Sequence, residues 1–121
     1  LVQKALPRLL TEEETTIILW LLKNSPSNLT HHINNIANII VQDKCKCGCA
    51  SIDFLNRKEY KKSNLTIISD FKWKDNKNNL FGIFLFEVNS KLAGLEVYSI
   101  DGNAETPKIL PNIQNLQRNE N

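Results

Sequence analysis

The sequence predicts an α+β domain: two N-terminal helices packed on an antiparallel sheet of four to five strands, ending in a meander. Three observations carry this. Residues 12–23 and 28–38 place apolar side chains at helical spacing. From residue 39 onward the apolar residues fall into short runs rich in β-branched and aromatic side chains, at about 39–45, 51–55, 66–74, 80–88 and 91–100. The helical patterns precede the strand patterns instead of alternating with them, which favours segregated layers over a parallel sheet. A chain of 121 residues fits one domain, 1–121.

The opening ten residues are apolar with one proline and are expected to run extended into the first helix. Thr11 and Glu14 form a capping box, in which the threonine oxygen accepts the Glu14 amide and the carboxylate reaches back. Three glutamates in the first turn suit the positive end of the helix dipole. Ile17, Ile18, Leu21 and Leu22 make the buried stripe, with Trp20 at its margin, and Asn24-Ser25-Pro26 ends the helix. Ser27 or Asn28 caps the second helix, whose apolar face is Leu29, Ile33, Ile36 and Ile40. His31 and His32 lie beside that face and read as surface or helix-cap residues rather than catalysts.

Around Ile39 the pattern turns strand-like. Cys45-Lys46-Cys47-Gly48-Cys49 then leads into a short strand, and the polar, basic 56–64 reads as a loop. Asp75 to Asn79 is a turn before the strongest feature, a hairpin of Leu80–Val88 and Lys91–Ile100 closed by Asn89-Ser90. Pairing Val88 with Lys91 sets Phe84 against Leu95 and Phe86 against Ala93. The preceding strand then pairs Phe71 with Phe84 and Trp73 with Gly82, because this register keeps its lysines off the apolar face. The expected helix-covered face is thus Ile67, Phe71, Trp73, Phe84, Phe86, Ala93, Leu95 and Val97. The outward face carries Asp70, Lys72, Ile83, Leu85, Glu87, Glu96 and Tyr98. Residues 103–121, with Pro107 and Pro111, are expected to lie over the domain as an extended tail rather than a strand.

Composition excludes several classes of function. Net charge is +2, too small for a strong pull toward nucleic acid or anionic membranes, and no apolar run approaches a membrane span. The chain starts at Leu1 and contains no Met, so the start of translation is expected upstream, where a removed signal peptide would also lie. Charge is divided: residues 57–77 hold seven basic and three acidic side chains, whereas 80–106 hold four acids and Lys91 alone. Basic and aromatic residues interleave at 57–62 and 71–74 as in stacking platforms, but Phe71 and Trp73 are needed in the core and the acidic hairpin would repel phosphate.

Cys45, Cys47 and Cys49 could hold a metal, but a closed zinc site needs four ligands, usually from C-x-x-C pairs. The C-x-C-G-C spacing reads instead as a tight turn in which Gly48 takes an unusual backbone angle; a disulfide between two of the three needs an oxidising compartment. Glu87 and Glu96 could pair across the hairpin, yet a flat sheet face offers no cleft for carboxylate catalysis. There is no phosphate-cradling glycine loop and no nucleophile elbow. Nothing here predicts an enzyme.

Three segments support a comparison: Leu6-Pro7-Arg8-Leu9-Leu10-Thr11-Glu12-Glu13-Glu14, the Cys45 to Asp53 segment, and Gly94-Leu95-Glu96-Val97-Tyr98-Ser99-Ile100-Asp101-Gly102. With Leu110-Pro111 they resemble a set of small bacterial proteins with a Cys-Gly-Cys-x-Ser-Ile element, a Leu-Glu-Val-Tyr strand and a closing Leu-Pro. Lys46 departs from that pattern, which has glycine between the first two cysteines. In size and class the chain also looks like immunity proteins of bacterial contact-dependent growth inhibition systems. That resemblance implies a non-enzymatic cytoplasmic inhibitor that binds the C-terminal toxin domain of a cognate secreted protein 1:1. It implies no cofactor, nucleic acid, membrane or small-molecule substrate. A ribonuclease is the first choice of toxin. No toxin-binding residue transfers from a motif; the outward face supplies Asp70, Glu87, Glu96, Tyr98 and Asp101, whose carboxylates would meet a cationic active site. If the tail covered that face, the basic loop would be the better surface. The alternative function is a metal-binding or redox regulator built on Cys45, Cys47 and Cys49.

Overall fold

The computed structural model describes residues 5–26 and 28–119. Residues 1–4, Ser27 with its expected capping role, the final two residues, and the side chains of Arg57 and Lys62 in the basic loop lie outside that description.

The chain enters through β1 (Arg8–Leu9) and reaches α1 (Glu12–Lys23) across the expected capping box, with both reciprocal hydrogen bonds made. The N-terminal segment does more than run extended: β1 pairs antiparallel with β2 (Ile40–Val41) as a separate two-stranded ribbon. The ribbon brings the Arg8 guanidinium onto buried Glu14, with two parallel bonds of 2.8 and 3.0 Å. Burial alone would push the Glu14 carboxyl up, but the bonds from Arg8 and from the Thr11 amide outweigh it and hold the pKa below the ordinary value. Ile17, Ile18, Leu21 and Leu22 are buried as the periodicity predicts, and Trp20 sits edge-on to Phe71 at 4.8 Å.

The second helix is shorter than its pattern. It breaks into α2 (Thr30–Ile33) and a 3₁₀ turn at Ile36–Asn38, since 34–38 contain three asparagines, whose side chains compete for backbone groups. Its N-cap is Leu29, which has no side-chain cap bond, rather than Asn28; Asn28, one position earlier, accepts the Thr30 amide at 3.1 Å and the Thr30 hydroxyl at 2.6 Å. The strand expected at 39–45 is two pieces, β2 and β3 (Asp43–Lys44), serving different sheets, and 51–55 contracts to β4 (Ile52–Asp53). The basic loop holds two 3₁₀ turns.

The main sheet has six antiparallel strands, one more than the upper expectation, in the order β3-β4-β7-β6-β5-β8. Its centre is the meander of β5 (Leu65–Lys74), β6 (Leu80–Val88) and β7 (Lys91–Ser99). Asn89 and Ser90 both have positive φ, 52° and 67°, which gives the right-twisting two-residue turn a hairpin needs.

Beside the turn the pairs are as expected, Val88 with Lys91 and Glu87 with Leu92. One residue further a bulge at Ala93 shifts the register, so Phe86 faces Gly94, Phe84 faces Glu96 and Gly82 faces Tyr98. A matching irregularity at Ile68 shifts β5, so Phe71 faces Ile83 and Trp73 faces Phe81. The outer strands keep their expected faces while β6 turns over. Ile83 and Leu85, expected outside, are fully buried with Phe71, Trp73, Leu95 and Val97 beneath α1. Phe84 and Phe86, expected under the helices, lie on the opposite face, and Phe86 and Ala93 pack there with Val88. Ile67, expected in the core, is 49% exposed because the irregularity directs Ile68 inward instead.

The tail is a strand in part. Leu110, Ile113 and Leu116 pack on the helix-side core, and β8 (Gln117–Arg118) pairs with the outer edge of β5. Two-residue strands thus end the sheet on both sides, β8 pairing only Phe71 and Lys72 of β5 and β4 only Gly94 and Leu95 of β7. Among the described residues no helix is long and apolar enough to cross a membrane.

Candidate binding face

With β6 turned over, the outer face of the sheet is more aromatic than the sequence predicts. Phe84, Phe86 and Tyr98 form its floor, with ring centroids 5.8 Å apart for Phe84 and Tyr98 and 6.1 Å for the two phenylalanines. Tyr60 rises from the basic loop beside Phe86, its hydroxyl donating to buried Asp53 at 3.3 Å. Cys45, Cys47 and Cys49 form the facing wall. The open cleft between them measures about 580 Å³ and includes Glu96 and Thr106 in its lining. The sheet face is therefore concave, where it was expected flat.

Glycine makes the cleft floor possible. Gly82 and Gly94 stand opposite Tyr98 and Phe86, and a Cβ at either would come closer than 3.0 Å to the facing ring. The rings lie over the strand instead of standing up from it. These two glycine–aromatic pairs, both consistent with the shifted register, are the sequence signal that could have found Phe84 and Phe86 on this face.

Of the five residues expected to meet a partner, three share this face. Asp70, Glu96 and Tyr98 sit on neighbouring rungs around Phe84 and Gly82. The tail reaches them through Asn119, whose Nδ2 donates to Asp70 Oδ1 and to the Tyr98 hydroxyl, both at 3.3 Å, and Thr106 of the tail joins Glu96 and Tyr98 in the cleft lining. Partial burial raises the Asp70 carboxyl above its usual value despite that bond. Burial, and then the Asp70 charge, raise the Tyr98 phenol.

The other two stand elsewhere. Asp101 is an exposed turn residue whose carboxylate accepts the amides of Asn103 and Leu80, and those bonds hold its pKa low. Glu87 is on the helix-covered face, because it alternates with Leu85 and Ile83, so it cannot pair with Glu96. Its carboxylate meets His32, which is 5% exposed and not the surface residue expected. Two adjacent residues of a regular helix point about 100° apart, yet the rings of His31 and His32 lie 4.0 Å apart. His31 Nε2 stands 4.0 Å from the same Glu87 oxygen.

The cysteines turn as expected, with Gly48 at φ 82°. Cys45 and Cys47 are bridged, Cys49 is a buried free thiol, and the three sulfurs lie within 4.8 Å of one another. Amides of Cys47 and Cys49 point at the sulfurs of Cys45 and Cys47, each at 3.4 Å. Compared with protein-family models, curated proteins and solved structures, the chain has no match.

Proposed function

We propose that this chain is a protein-binding inhibitor, the immunity partner of a contact-dependent growth inhibition toxin, and that it occludes the toxin's active site with the outer face of its sheet. One observation carries the reading: Phe84, Tyr98 and Glu96 line an open cleft on the outer face of the sheet, with Thr106 of the tail also in its lining. Amphipathic rings held on a rigid sheet make good anchors, since they bury much area with little rotamer entropy lost. Carboxylates beside them would steer a cationic nuclease site and replace its phosphate charge. In this reading the complex is 1:1 and cytoplasmic, the target is a ribonuclease domain, and no cofactor or catalysis is involved.

The test is co-purification with the toxin domain encoded beside this chain, followed by titration of Tyr98→Ala and Glu96→Lys. Each variant should weaken binding at least tenfold while its thermal unfolding stays close to wild type. Full affinity in both would remove this face from the interface. Failure to bind or protect against the adjacent toxin would remove the immunity role.

A second reading, a cysteine-based redox or metal regulator, is favoured by the three neighbouring sulfurs on the same cleft. Serine at Cys45, Cys47 and Cys49 would abolish activity under that reading and leave toxin binding intact under the first.

A further inference from the structure

We infer that His31, His32 and Glu87 form a binding site for one divalent transition ion of the zinc type, on the opposite side of the sheet from the proposed toxin face. The inference does not depend on the toxin reading. The Glu87 carboxylate, 17% exposed, needs a polar partner, and His32 supplies one. His31 is in excess of that need: its side chain is 62% exposed, yet its Nε2 is turned to the same Glu87 oxygen, 4.0 Å away.

Two imidazole nitrogens and one carboxylate oxygen are the donor set of three-ligand zinc sites, which keep a fourth position for water or substrate. Ligand atoms about 2.0–2.1 Å from a tetrahedral ion stand roughly 3.4 Å apart. The three donor atoms here lie within 4.8 Å of one another, so small side-chain rotations close them on an ion. His32 would then take the tautomer protonated on Nδ1, so that Nε2, whose N–H now donates to Glu87, presents a lone pair to the ion.

The surroundings fix the ligands. Glu87 lies on the central strand, paired with Thr66 on one side and Leu92 on the other. The histidines sit on a turn anchored by the hydrogen bonds of Thr30 to Asn28 and by buried Leu29. Open grooves border His31 on two sides, one reaching Glu87 and Ser90 and the other His32 and Lys91, so an ion has access and the fourth position faces solvent. Lys91 opposes a cation there, and with three protein ligands a modest affinity follows.

The 121-residue chain, stripped of metal, is titrated with Zn²⁺ alone and with Co²⁺ alone. We expect one equivalent of Zn²⁺ bound, a rise in melting temperature, and a Co²⁺ spectrum without sulfur-to-metal charge transfer. His31→Ala and Glu87→Gln should each lower Zn²⁺ affinity at least tenfold. Because His31 is exposed, His31→Ala should melt at the wild-type temperature without metal, which separates ligation from folding. Absence of stoichiometric binding, unchanged affinity in His31→Ala, or strong thiolate charge transfer assigning the ion to the cysteines would each overturn the site.

Discussion

The ring of Tyr98 lies over Gly82 on the adjacent strand, in the space where a side chain on that strand would stand. The same relation holds between Phe86 and Gly94, and together they lock the shifted register of the hairpin. The two differ in what surrounds them. At Gly82 the three atoms nearest an added methyl all belong to the Tyr98 side chain, which can swing outward; at Gly94 the nearest atoms include the Ile52 carbonyl at 2.8 Å. Gly94→Ala should therefore destabilise more than Gly82→Ala in urea unfolding. Combining Gly82→Ala with Tyr98→Ala should recover part of the loss, a coupling that a double-mutant cycle measures.

The turned-over strand makes a prediction that its hydrophobicity alone would reverse. Leu85 is fully buried beneath α1, whereas Phe84 is half-buried on the outer face. Leu85→Ala should cost about 2–5 kcal/mol through lost burial and the cavity left behind. Phe84→Ala, though it removes more atoms, should cost less and should instead weaken partner binding. Chemical denaturation of the two variants decides the assignment.

The Asn89-Ser90 turn carries strain that can be relieved. Ser90 holds φ 67°, a conformation costing roughly 1–2 kcal/mol for an L side chain. Ser90→Gly removes that cost and loses part of the gain to chain entropy. The net expectation is a stabilisation of about 0.5–1 kcal/mol, read as a raised urea midpoint.

Acid stability should show two opposed carboxylates. The Glu14 pKa lies below its ordinary 4.5, so its contribution is complete above that value and is lost as pH falls through the folded pKa. Glu14→Gln should lower stability at neutral pH by about 1.5–3 kcal/mol and flatten the acid limb. Asp70 has the opposite sign: its folded pKa is raised above the ordinary 3.8, so acidification through that range relieves a cost. Asp70→Asn should accordingly steepen the acid limb. Unfolding measured across acidic pH for both variants checks the pair of signs.

What the sequence determined by itself was local. The capping box, the span and buried stripe of α1, the positive-φ turn at Asn89-Ser90 and the Gly48 bend all depend on residues a few positions apart, where spacing and backbone chemistry leave one answer. The α+β class followed from the order of the patterns. The tertiary structure alone decided which face of β6 is inside. Phe81, Ile83 and Leu85 are as apolar as Phe84, Phe86 and Val88, so alternation could not choose between them, and one extra residue at Ala93 turned the strand over. That choice moved Glu87 from the expected partner face to His32, and put Phe84 and Phe86 beside Tyr98 and Glu96. The assembled fold likewise decided where Arg8, Asn119 and Tyr60 went, since β1, the end of β8 and the basic loop carry them to Glu14, Asp70 and Asp53. A local pattern specifies a strand and its period, whereas its phase against neighbours is set by packing, which only the assembled sheet supplies.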